Sequence, residues 1–153
     1  MAPSGVPRAR LSYAKESPGV LQAMRALEQH LQRSGLDRQL LHPVKMRASL
    51  LNGCAFCLNL HGREAIHDGE SPRRLFQLAA WAGSPDFTRT ERAALAWMDA
   101  ATKVADSRVP DSVFRQARRS FDPKKLVDRT LAVVAINGWN RLAIAFRMPP
   151  EDG

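Results

Sequence analysis

Apolar residues recur at three- and four-residue spacing along nearly the whole chain, and the runs are broken by glycine, proline and capping residues. No segment alternates apolar and polar residues over a strand's length. That single property restricts the chain to helix-on-helix packing and predicts an all-α fold. Ser17-Pro18 opens a first helix whose Val20, Leu21, Met24, Leu27 and Leu31 share one face up to Ser34-Gly35. A second is expected from Asp37 to Leu51, kinked or split at Pro43 because proline lacks the N–H that the helix needs there. Asn52-Gly53 stops it, and Cys54 opens the next helix, which runs to Asp68-Gly69. Ser71-Pro72 starts another that ends at Gly83. Thr88 and Glu91 form a capping box for a helix to about Ala105. Pro110 begins a shorter helix to Phe121, and Asp122-Pro123 a long final one through LAVVAINGWNRLAIAF. The chain thus reads as an irregular N-terminal arm over 1–16 and one helical domain over 17–153.

A chain of 153 residues can bury a core of its own. Its net charge of +8 invites the question of nucleic acid. The basic residues are scattered, however, and with one tyrosine there is no aromatic platform for bases, so a nucleic-acid partner is not expected. No apolar run reaches the roughly 20 residues of a membrane span, so no membrane association is expected. The start MAPSGVPRARLSYAKE has no apolar region of the kind that directs secretion, which leaves the cytoplasm as the expected location. A cysteine pair there stays reduced unless its task is to cycle.

The chain has two cysteines, and both lie in NGCAFCLNLHGREA. Cys54, Cys57 and His61 are spaced three and four apart and form one stripe on a helix. Cys54 in the first turn meets free N–H groups and the positive end of the helix dipole, which favour a thiolate. An imidazole one turn beyond Cys57 can take its proton. Two thiols at this spacing near a helix start can also close into a disulfide with little backbone movement. Three readings fit these residues: a redox pair, a structural zinc site completed by His42 or His67, and two buried thiols with no chemistry. The tryptophans Trp81, Trp97 and Trp139 sit at core spacings and read as packing or subunit contacts. Asn137, Asn140 and Arg141 in the final helix read the same way, and Tyr13 as a residue able to reach a neighbouring subunit.

HPVKMRASLLNGCAFCLNLHGREA resembles the core of the alkylhydroperoxidase D-like (AhpD-like) group within the carboxymuconolactone decarboxylase family. GESPRRLFQLAAWAGSPDFTRTERAALAW, AINGWNRLAIAFRMPP and the opening RLSYAKESPGVLQAM extend the resemblance over about residues 10 to 150. It implies an AhpD-like helical domain with the C-x-x-C at a helix N-terminus, assembled as a homo-oligomer (dimer, trimer or hexamer). It also implies a thiol-dependent peroxidase acting on a small alkyl hydroperoxide. Cys57 would attack the peroxide, Cys54 would close the disulfide, and His61 would belong to the proton relay. No metal and no organic cofactor is implied, and an external thiol or thioredoxin-like reductant is required. The cysteine pair argues against the lactone-decarboxylating branch, which lacks it. The relay glutamate of the group lies twelve residues before the first cysteine, and that position is His42 here, which could pass a proton in its place. A redox-sensing or structural oligomer with little turnover is the alternative expectation.

Overall fold

The computed structural model describes residues 8–151, all of whose regular structure is helical. The helices are α1 (Tyr13–Glu16), α2 (Pro18–Arg33), α3 (Arg38–Asn52), α4 (Ala55–His67), α5 (Pro72–Gln77), α6 (Arg89–Thr102), α7 (Val104–Ser107), α8 (Asp111–Ser120) and α9 (Pro123–Phe146). A 3-10 turn over Leu78–Gly83 follows α5. Among the described residues no helix is long and apolar enough to cross a membrane.

Helix α3 packs against α4, α6 and α9 and so organises the rest. Its Leu40, Val44 and Ala48, one turn apart, join Met98 of α6, Phe121, and Leu126, Val133 and Ile136 of α9 in the main core. Met46, on another face, enters a second core with Ala65 of α4, Leu75 of α5, and Leu78, Phe87 and Leu95. Each large side chain fully buried in this way contributes about 1.5–3 kcal/mol. Arg47 joins the two cores. It donates to both carboxylate oxygens of Asp99 on α6, at 3.0 and 3.1 Å, and to the carbonyls of Leu78 and Ala79.

The structure narrows the sequence reading in one place and departs from it in three. Of the two outcomes expected at Pro43, a kink or a split, the split does not occur: α3 continues through the proline, whose buried ring helps offset the backbone bond it cannot donate. The helix expected over 71–83 changes to 3-10 geometry after Gln77, with Ala80 outside helical dihedrals. The helix expected to reach Ala105 breaks at Lys103 and resumes as α7. The arm is not irregular throughout: Tyr13–Glu16 is a helical turn, and Arg10 donates from its backbone to Phe146 and from its guanidinium to Ala145, both at 2.9 Å. Residues 1–7 of the arm, and 152–153, lie outside the described residues.

The junction of α3 and α4 places the cysteines. Gly53 has a φ of +70°, a left-handed conformation in which any other residue would be strained. The Cys54 N–H then reaches back to the Ser49 carbonyl at 3.0 Å, and the chain turns into α4 within two residues. An amide cluster holds this turn against α9. Asn52 donates to the side-chain oxygens of Asn137 and Asn140, both at 2.9 Å, and Asn140 donates to the Ser49 hydroxyl at 3.1 Å. Asn137 in turn donates to the Thr102 hydroxyl on α6 at 2.9 Å. Ser49 and Asn140 are completely buried, so each bond lost leaves a polar group without water. Asn140→Ala is therefore expected to cost about 2–3 kcal/mol of folding stability. Urea unfolding monitored by circular dichroism measures the loss, and an α9 surface change such as Lys125→Ala serves as the comparison.

Candidate functional site

Cys54 is the N-cap of α4, and its sulfur accepts the Cys57 N–H at 3.2 Å. The two sulfurs are joined as a disulfide, with Cα atoms 5.3 Å apart. Both residues are buried, at 1% and 2% exposure, and pack against Ala143 of α9 with Phe56 and Met148 over them. The C-x-x-C thus stands at a helix N-terminus, where backbone N–H groups and the helix dipole stabilise a thiolate once the bond is reduced.

A cavity of about 690 Å³ opens beside the pair, between α2, α3, α4 and α9. Cys57 lines it and Cys54 does not, so the two sulfurs are not equivalent toward an incoming molecule. Leu21, Leu31, Phe56, Leu60 and Met148 supply apolar wall, and His42, His61, Glu64, Lys45 and Glu28 supply polar groups.

His61, one turn beyond Cys57, is buried at 7% exposure, and its Nδ1 lies 2.8 Å from Oε2 of Glu64 on the same helix. That hydrogen bond holds the Glu64 carboxyl below its usual range, and Lys45 and His42 reinforce the effect. An ionised carboxylate can only accept, so Nδ1 carries the proton and Nε2 of the neutral ring is left as the base. His42 is not a surface residue beside a kink: it is 5% exposed and lines the same cavity from α3. Its Nε2 lies 2.8 Å from Oδ2 of Asp68, which is lowered in pKa chiefly by that bond. Arg38 donates to the same Asp68 oxygen at 2.9 Å, and Gln39 to the Asp68 carbonyl at 2.8 Å.

All four site residues named from the sequence therefore meet at one place, Cys57, His61 and His42 on the cavity wall and Cys54 behind it. Four further polar residues went unnoticed. Glu64 carries a readable signal, an acid three residues beyond a histidine on a helix. Asp68, Glu28 and Lys45 do not, because their partners come from other helices. Glu28 of α2 accepts from Trp139 Nε1 at 3.1 Å and faces the Lys45 ammonium at 3.4 Å. Trp139 thus lines the cavity and is more than packing. Trp81 and Trp97 donate within the subunit to Asp99 and to Thr130. Tyr13 stacks near Phe146, with centroids 6.1 Å apart, and faces the cavity from α1; burial raises its pKa. Among the described residues no cluster of three or more His, Cys, Asp and Glu has the arrangement of a metal site, so Cys54, Cys57 and His61 are not joined by His42 or His67 as a ligand set.

A helical scaffold that sets a cysteine pair at a helix N-terminus, beside a cavity with a buried histidine, defines a class of thiol–disulfide site. Comparison with known proteins gives the family. Residues 18–100 match the carboxymuconolactone decarboxylase family, and the chain belongs to it. It is 34% identical to the uncharacterized protein YdfG of Bacillus subtilis over 136 residues, 89% of this chain and 92% of that one. A crystal structure from Agrobacterium tumefaciens, of a protein of unknown function proposed to be an antioxidant defence protein AhpD, superposes with a TM-score of 0.93. It is 42% identical and is covered completely by 95% of this chain. The debrominase Bmp8 shares the fold at a TM-score of 0.79 with 17% identity, over 90% of this chain and 74% of that one.

The His61–Glu64 bond sets a dependence on pH. The Glu64 pKa is lower folded than unfolded, so the bond's contribution is complete above about 4.5 and is lost as pH falls through the folded value. The stability difference between wild type and Glu64→Gln should be largest near neutral pH and shrink progressively below about 4.5, as measured by urea midpoints across the acid range.

Proposed function

We propose that this chain is a thiol-dependent peroxidase that reduces organic hydroperoxides through the Cys54–Cys57 pair. The observation that carries the reading is the asymmetry of the pair: Cys57 borders a cavity sized for an organic molecule, with His61 beside it, while Cys54 sits behind. The family membership and the likeness to the Agrobacterium protein support it.

The cycle begins with the reduced pair. His61 Nε2 takes the Cys57 proton, and the thiolate attacks the terminal oxygen of the hydroperoxide. The O–O bond breaks, Cys57 becomes a sulfenic acid, and the departing alkoxide takes a proton and leaves as the alcohol. Cys54 then attacks the Cys57 sulfur, water leaves, and the disulfide forms. An external dithiol or thioredoxin-like donor returns both thiols and is itself oxidised. A reducing compartment such as the cytoplasm suits a pair that must be re-reduced at every turn. Assembly into a homo-oligomer belongs to the same proposal; Val127 and Val134, exposed one above the other on α9, and Phe76 support it.

Cys57→Ser should reduce consumption of tert-butyl hydroperoxide, in the presence of dithiothreitol, to the level of the reductant alone. His61→Gln should lower kcat/KM by roughly 10²–10⁴-fold, the usual contribution of a positioned base. Cys54→Ser should still react once per chain and accumulate a sulfenic acid that dimedone traps. Unchanged consumption in Cys57→Ser would overturn the proposal.

A further inference from the structure

Attack by a thiolate on a hydroperoxide makes two separate demands on protons. One must leave Cys57 before the O–O bond breaks, and one must reach the alkoxide as it departs. The cavity holds two histidines, and each is bonded to a carboxylate of its own. His61 and Glu64 are on α4, on the stripe that begins with Cys57. His42 is on α3, and its partner Asp68 lies just past the end of α4.

We infer that the relay of this protein is divided between two histidine–carboxylate dyads: His61–Glu64 takes the proton from Cys57, and His42–Asp68 delivers one to the leaving alkoxide. The inference rests on the peroxidase reading and gives that site a general acid. Three features favour the assignment. His61 is one helical turn from the nucleophile and already presents an unprotonated Nε2 when neutral. His42 lines the same cavity from α3, on a different helix from the nucleophile. Asp68 is fixed by Arg38 and by the Gln39 contact to its carbonyl, so it can only accept from His42 and holds the second proton of an imidazolium in place. The full step is then Cys57–S⁻ plus ROOH and the His42 imidazolium, giving Cys57–SOH, ROH and neutral His42. The proton that His61 took from Cys57 returns to solvent through the cavity mouth and recharges His42.

A leaving group that needs no proton separates the two roles. An alkyl hydroperoxide expels an alkoxide, which requires an acid, whereas a peracid expels a carboxylate, which does not. The quantity to measure is kcat/KM for peracetic acid divided by kcat/KM for tert-butyl hydroperoxide, a ratio that is independent of how much of a variant is folded. His42→Gln should raise this ratio at least tenfold over wild type, and Asp68→Asn should raise it less, in the same direction. Glu64→Gln should lower both rate constants together and leave the ratio as it was. A ratio unchanged in His42→Gln, or raised equally by Glu64→Gln, would overturn the division of labour while leaving the peroxidase intact. If the wild type consumes neither peroxide faster than free dithiothreitol does, the peroxidase reading itself fails.

Discussion

The site depends on how α3 ends. Asn52 is the last residue of the helix, and its side-chain amide is shared between two asparagines of α9. Gly53 then reverses the chain in a conformation open to glycine, and Cys54 becomes the cap of the next helix. The direction of α4, the burial of both sulfurs and the position of His61 follow from that one junction. It is built of hydrogen bonds in a place with little water, where each bond counts for more than it would at the surface. The packing of Leu40, Val44 and Ala48 holds α3 in the core, but the amide cluster sets where α3 stops against α9.

The helices were legible in the sequence because each begins and ends with local chemistry. Asp37, Thr88 and Asp122 cap their helices with the side-chain bonds their residue types suggest. The C-x-x-C–His stripe was legible for the same reason, since three residues on one helix need only the helical repeat. What the sequence hid is what several helices share. Asp68 lies twenty-six residues from His42 and looks like an ordinary end-of-helix acid until α3 and α4 are packed. Glu28 meets Trp139 across 111 residues, and no pattern within either helix announces that contact. Pro43 was half legible: the kinked-or-split reading allows a helix that continues through it, and burial of the ring helps offset the backbone bond it cannot donate.

Position 42 joins the local and the long-range parts. Taken alone, His42 offers an imidazole and no acid. In the fold Asp68 stands behind it, bonded to the ring, and the ring lines the cavity. A histidine bonded to a carboxylate through one ring nitrogen has a second nitrogen through which a proton can pass. The chain therefore keeps both kinds of group at the site while distributing them over different residues.

In the proposed cycle, the placement of Cys54 behind Cys57 bears on how long the site survives as well as on its chemistry. A Cys57 sulfenic acid formed in that cycle would have two fates: condensation with Cys54, or attack by a second peroxide to give the sulfinic acid, from which a thiol cannot recover it. The first partner is tethered, with its Cα 5.3 Å away and already at the helix N-terminus. The second would have to diffuse into the cavity before the alcohol of the proposed reaction had left it. The competition is thus between a reaction within one turn of helix and a fresh encounter, and the architecture favours closure over damage even as peroxide accumulates.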